Sequence, residues 1–371
     1  MNQSVEKMQF LRNPPPSAQR GGRVWKAILK IGSSLIPWLV IGGLLWAGLF
    51  IKPKPVGATV RPPVMERRDY YFGVAQIPGK GFWLAGSSGK IVAIENDGHG
   101  ARFDSTTEQT LQDIAVWDSE RGVAVGNDGV VVITTDGGKK WHQVADVPKS
   151  LVANKLNRVR VVAGGLAIAT GEMGAILMSR DYGEHWVRLR LEEDQAWNDV
   201  AFLPSGKVLA VGEFGRIVLS SDDGRHWENI KSPVKSSLTS VAFSDARTGV
   251  AVGLEGVVLM TRDGGKTWKR LDVKVSDHLF GIAWDGVAKR WVGCGGLGSW
   301  ITVSGDGIKL NAGRLNERDL SWHTSVVPID NSVWFAGANV GLWDGANWHP
   351  LDASQQSTSP QILPLNKDKF Q

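Results

Sequence analysis

One octapeptide recurs four times and constrains what this chain can fold into. The copies are TTDGGKKW (Thr134 to Trp141), SRDYGEHW (Ser179 to Trp186), SSDDGRHW (Ser220 to Trp227) and TRDGGKTW (Thr261 to Trp268). Each fits Ser/Thr, any, Asp, any, Gly, any, any, Trp, and the starts are 45, 41 and 41 residues apart. A self-similar period of roughly 20–50 residues marks an array of supersecondary units that bury their apolar faces against one another. One four-stranded sheet per period fits this spacing.

The pattern is the Asp-box, or BNR repeat, and its residue types suit a short hairpin. Asp136, Asp181, Asp222 and Asp263 can accept local backbone N–H bonds as Asx turns do. The glycine two positions later supplies permissive backbone. Trp141, Trp186, Trp227 and Trp268 then enter the next strand and bury a large ring. A metal or substrate role is the rival reading, but one carboxylate per separate turn makes a poor cage.

The strand opening each period is a better ruler than the box. It reads FGVAQ from Phe72, QDIAV from Gln112, NRVRV from Asn157, NDVAF from Asn198, TSVAF from Thr239, FGIAW from Phe280 and TSVVP from Thr324. These starts lie 40, 45, 41, 41, 41 and 44 residues apart, which predicts seven repeats. Degenerate boxes at Asn96 to Phe103, Thr302 to Gly307 and Gly341 to Trp348 agree. Within each repeat two Val/Ile/Ala-rich runs flank a tight G-x-x-G turn, a hairpin signal. No helical pattern follows these turns, so they are not phosphate-cradling loops. The expected fold is an all-β, seven-bladed β-propeller over residues 70–352.

The N-terminus reads differently. Ile31 to Ile51 holds 21 residues without a charge, and roughly 20 such residues cross a bilayer core. This predicts an uncleaved transmembrane anchor helix at 31–51 that contacts the lipid bilayer. A basic leader, 1–30, precedes it and reads as disordered over 1–24. A stiff Pro-containing linker, 52–69, follows, and a polar tail runs over 353–371. A short basic leader favours an N-inside, single-pass protein of the inner (cytoplasmic) membrane with the propeller exported, although basic residues flank both ends of the span. The formal net charge is +5, and an anionic lipid surface beside the basic N-terminal region accounts for it. No basic aromatic module points to nucleic acid.

In a propeller the first strand of each blade lines the central channel and its side chains alternate. One predicted channel ring is Gly73, Asp113, Arg158, Asp199, Ser240, Gly281 and Ser325. The next is Ala75, Ala115, Arg160, Ala201, Ala242, Ala283 and Val327. Small residues suit strands converging on an axis, so Arg158 and Arg160 stand out. Either Asp113 and Asp199 neutralise them, or the arginines bind a carboxylate or acidic peptide at the channel mouth. The G-x-x-G turns are expected at this mouth and would add Asp128, Glu172, Glu213 and Glu255. The partner-binding candidates are therefore Arg158, Arg160, Asp113, Asp199, Glu172 and Glu213.

Catalysis finds little support in the residues. A sialidase-like site needs a tyrosine nucleophile with a glutamate partner, and the chain has three tyrosines, Tyr70, Tyr71 and Tyr182, none well placed. An ordinary glycosidase needs two facing carboxylates, one with a raised pKa. The single cysteine, Cys294, forms no internal disulfide and reads as a small hydrophobe. No metal, cofactor or small-molecule substrate is expected.

The run A-V-G-x-x-G-x-(I/V)-L-x-S-x-D-G-G-x-x-W, repeated over roughly residues 70–350, resembles the photosystem II stability/assembly factor family of propellers. The resemblance implies a non-catalytic scaffold that holds a partner subunit during assembly of a membrane complex. It also implies an arginine-rich patch, for which Arg158 and Arg160 are the candidates. The expected transmembrane anchor departs from the lipid anchor of cyanobacterial relatives. A stable accessory subunit of an envelope transporter, such as an RND-type exporter, is the alternative. A glycan-binding or sialidase-like protein is a remote one.

Overall fold

The computed structural model describes residues 21–50, 63–66, 68–95, 99–204, 206–330 and 332–351. It divides into two compact units at Pro62 and Pro63. The leader up to residue 20, most of the linker and the tail beyond residue 351 lie outside the described residues.

The first unit contains one helix, α1 (Gly21–Phe50), with Pro37 inside it. Its large apolar side chains from Leu35 onward are exposed, among them Leu39 and Leu49. Among the described residues no helix is long and apolar enough to cross a membrane. The helix covers the predicted span as far as Phe50 and also takes in residues 21–30, expected to belong to the leader; insertion into a bilayer is not shown.

The second unit is seven four-stranded antiparallel sheets, each built from consecutive strands. The blades occupy residues 71–103, 111–143, 156–188, 197–230, 238–270, 279–314 and 323–350. Their inner strands form a closed ring, the seventh returning beside the first. The core lies between blades. Val125 and Ile133 of blade 2, for example, pack with Val159, Leu177 and Trp186 of blade 3. Middle strands such as Gly122–Gly126 are buried at every residue. Sheets covered on both faces require such unbroken apolar runs.

The G-x-x-G turns have a steric cause. A Cβ on Gly126 would fall 2.1 Å from the Thr110 carbonyl oxygen. The second glycine, Gly129, sits at φ +66. Between the glycines, six turns place a non-glycine residue in the left-handed region, at φ between 52 and 59: Ser88, Asp128, Met173, Phe214, Glu255 and Leu297.

The ring closes without sharing a strand between the first and last blades. The seam is held by the Thr324 hydroxyl donating to the Phe72 carbonyl oxygen at 2.9 Å. Phe72 stacks on Trp322 with centroids 5.4 Å apart, and Phe82 meets Trp334 at 4.5 Å. Residues 63–66, 68 and 69, expected at the end of the linker, instead strap this seam. Val64 and Met65 join a cluster with Tyr71, Phe82, Ala336 and Val340. Buried Asp69 accepts from the Glu66 N–H at 2.9 Å and the Tyr71 hydroxyl at 3.2 Å, and pairs with Lys90 and Arg102. Lys90 and Arg102 of blade 1 thus supply the partners that a buried carboxylate needs.

Candidate functional site

Each inner strand carries one extra residue that breaks its pairing register: Phe72, Gln112, Asn157, Asn198, Thr239, Phe280 and Thr324. Such a bulge turns two successive side chains toward the same side. Strict alternation therefore misses a third ring, formed by these residues at the G-x-x-G end of the channel. The signal was present as the polar or aromatic residue that opens every repeat unit.

The bulge residues staple neighbouring blades. Asn198 Nδ2 donates to the Leu238 carbonyl oxygen at 2.8 Å, and Thr239 Oγ1 to that of Leu279 at 2.7 Å. A second belt lies one residue deeper. Asp113 accepts from the Val159 N–H at 3.0 Å, while Asp199 accepts from Ser240 Oγ at 2.7 Å and the Val241 N–H at 3.1 Å. Each buried carboxylate thus reaches one blade forward. A buried carboxylate with fixed donors has the partners its burial demands.

The arginines complete this network. Arg160 lies 2.8 Å from Asp113 and 3.0 Å from Asp199, bridging its two neighbouring blades. Burial disfavours its charge, yet Asp199 and Asp113 hold its pKa above the ordinary value. Burial pushes the Asp113 carboxyl up, while Arg160 and Arg158 act to lower it. Arg158 sits 3.8 Å from Asp113 and sends Nη2 to the carbonyl oxygens of Phe280 at 3.0 Å and Thr324 at 2.6 Å. Those carbonyls belong to blades 6 and 7, opposite blade 3. The neutralisation read from the sequence therefore holds for Arg160, whereas Arg158 spends its main donors on backbone across the channel.

This crossing divides the channel into two cavities. One, about 330 Å³, faces the Asp-box end and is lined by Arg160, Val162, Phe202, Trp284 and Val327. The other, about 300 Å³, faces the G-x-x-G end and is lined by Phe72, Asn157, Asn198, Glu213, Thr239 and Phe280. Arg158 touches both. The structure thus does not bring Arg160 to the G-x-x-G mouth beside Glu172 and Glu213, as the sequence suggested. Strand direction places it toward the opposite end. Glu172 and Glu213 accept the Lys155 and Ala196 N–H groups, at 3.0 and 2.9 Å, and so brace their own turns.

The Asp-boxes are self-contained turns. Ser220 Oγ accepts from the Gly224 N–H at 2.9 Å, and Asp222 accepts from the His226 N–H at 2.8 Å. These backbone and His226 contacts hold the Asp222 carboxyl at about 2. Asp136, Asp181 and Asp263 repeat the i→i+4 bond at 2.9–3.0 Å. Trp141, Trp186 and Trp268 are buried, and Trp227 is partly buried. In blade 6 the degenerate box starts at Ser304, two residues after the expected Thr302, because Asp306 accepts from the Ile308 N–H at 2.9 Å. Among the described residues no group of His, Cys, Asp or Glu could hold a metal ion. Cys294 is buried and its thiol is pushed up to about 12 by that burial.

The family model described as "Photosynthesis system II assembly factor YCF48" matches residues 101–197 and 223–284. A search of curated proteins gave no match. Among solved structures, YCF48 bound to a D1 peptide is 17% identical with a TM-score of 0.62, over 77% of this chain and 94% of that one. YCF48 from Cyanidioschyzon merolae is 14% identical with a TM-score of 0.61, over 75% and 95%. PorZ, a surface component of the type-IX secretion system of Porphyromonas gingivalis, is 14% identical with a TM-score of 0.58, over 76% and 38%.

Proposed function

We propose that this chain, a photosystem II assembly factor-like β-propeller, is a non-catalytic scaffold that binds a membrane-protein partner during assembly. The observation that carries this reading is the channel waist. Arg158, Arg160, Asp113 and Asp199 satisfy one another and the surrounding backbone. Carboxylates so engaged are poorly placed to shuttle protons. What remains is a rigid ring with a shallow cavity at each end, suited to side chains of a protein segment. The solved YCF48 complex with a D1 peptide supports the same kind of partner.

The reading includes a membrane anchor at Ile31 to Ile51. A helix with exposed Trp38, Leu39, Leu44 and Leu49 buries little of its own apolar surface, and an apolar medium would cover it. Tethering raises the effective concentration of the propeller near membrane partners. The propeller then lies on the exported side. Resistance to alkaline extraction, together with protease access to the propeller in intact spheroplasts, tests the anchor and its orientation.

Gentle-detergent purification of the full-length protein from its native membrane, with mass spectrometry of what accompanies it, tests the function. Substoichiometric recovery of newly made subunits of a larger complex is the expected result. A stoichiometric multi-pass transporter would replace the transient role with that of a permanent subunit. Recovery of the propeller alone would overturn the reading.

A further inference from the structure

We infer that the G-x-x-G mouth is the docking face, and that it takes an extended peptide carrying an aromatic residue flanked by lysine or arginine. This deepens the scaffold reading and rests on it. Phe214 and Leu297 stand at turn apices, 65% and 46% exposed, at φ 55 and 54. A bulky side chain is sterically disfavoured at such φ, where Gly or Asn sits easily. It also gains little from packing when its apolar surface faces water. The folded ring alone therefore gives no reason for either choice, whereas a bound partner does.

The cavity beside them has the matching size and lining. The Phe214 N–H bonds to Ser237, which lines the 300 Å³ cavity. Phe72 and Phe280 form its aromatic wall, and one large ring of a ligand fits between them and the amide wall opposite. Asn157 and Asn198 each donate one amide N–H to the next blade, at 3.5 and 2.8 Å. Their Oδ1 atoms remain as acceptors.

Charge selects the flanking residues. Glu172, Glu213 and Glu255 sit in the G-x-x-G turns of three successive blades, and none forms an ion pair among the described residues. They hold hydrogen bonds to the Lys155 N–H, the Ala196 N–H and Ser236 Oγ, respectively. Cations do reach other turns of this rim, Lys149 beside Asp128 and Arg314 on the Leu297 carbonyl oxygen, but three neighbouring carboxylates without a paired cation favour a basic segment over an acidic one.

The test uses the full-length protein in detergent and three labelled nine-residue peptides in a Gly/Ser background, read by fluorescence anisotropy. One carries a central Trp between lysines, one the same Trp between glutamates, and one a central Ala between lysines. The Lys–Trp peptide is expected to bind at least tenfold more tightly than either control, with affinity falling as salt rises. Phe214→Asn and Leu297→Asn should each weaken it at least fivefold while the unfolding midpoint holds or rises. Glu213→Gln keeps the acceptor for the Ala196 N–H and should still weaken binding about threefold, losing part of the salt dependence. Equal binding of the three peptides, preference for the glutamate peptide, or wild-type affinity in both asparagine variants would overturn the inference. Co-purification of a membrane partner alongside any of those results would leave the scaffold reading standing.

Discussion

Arg158 on blade 3 donates to the Thr324 carbonyl oxygen on blade 7 at 2.6 Å, joining opposite sides of the ring through one side chain. Its Nη2 also meets the Phe280 carbonyl oxygen at 3.0 Å. A planar guanidinium can serve two blades and face Asp113 at once; an ammonium offers no such fork.

Arg158→Leu therefore leaves two channel-lining carbonyls short of a donor and unbalances Asp113. The expected loss is about 2–4 kcal/mol, and Arg158→Lys should recover only part of it. Denaturant unfolding of the three proteins checks this.

Asp199 is fully buried and serves Arg160, Ser240 and the Val241 N–H. Asp199→Ala should cost about 2–4 kcal/mol, since it leaves Arg160 with Asp113 alone and two donors without their acceptor. Arg160→Leu in the same background should cost less than it does alone. A double-mutant cycle reads this coupling, and additive losses would refute it.

The Asp-box carboxylates predict acid sensitivity. Asp222 and Asp344 are held at about 2, below the ordinary carboxylate value of about 3.9. A depressed folded pKa contributes stability above the ordinary value, and that contribution is lost as pH falls through about 2. The unfolding midpoint should drop over that window. Asp222→Asn should flatten the slope, as thermal denaturation across pH would show.

His323 predicts a second, milder dependence. It is buried where blades 2, 3, 5 and 6 carry Leu111, Leu156, Leu238 and Leu279, and Asn339 contacts its Nε2 at 2.8 Å. Burial lowers its pKa, so the folded ring prefers the neutral ring form. Stability should fall as pH drops below about 6.5, where unfolded histidine begins to charge. His323→Leu should remove that step, as measured by denaturant midpoints between pH 5 and pH 8.

Much of this was legible in the chain. Asp222, Trp227 and their counterparts revealed the repeat because each box forms its turn from its own eight residues. The Asp113–Arg160–Asp199 pairing was legible because charged residues in a ring of small ones must find one another. What escaped were effects of register. The bulge at Asn157 and its counterparts leaves the repeat length unchanged, so periodicity did not show that successive residues share the channel. The reach of Arg158 to Phe280 and Thr324 depends on side-chain length and ring diameter, which no local pattern encodes. The strap at Met65 and Asp69 looked like linker because proline content dominates that stretch.

The blade 7–blade 1 seam has a mechanical consequence. No strand crosses it, and the strap beside it lies at the N-terminal end of the propeller unit. Tension arriving from the N-terminal side would load Asp69, with Lys90 and Arg102, before it reached any interior blade. The chain would then start to open where it closes, with Phe72 and Trp322 parting first, while the belt through Asp113, Arg160 and Asp199 stayed unstressed until the ring had become an open array.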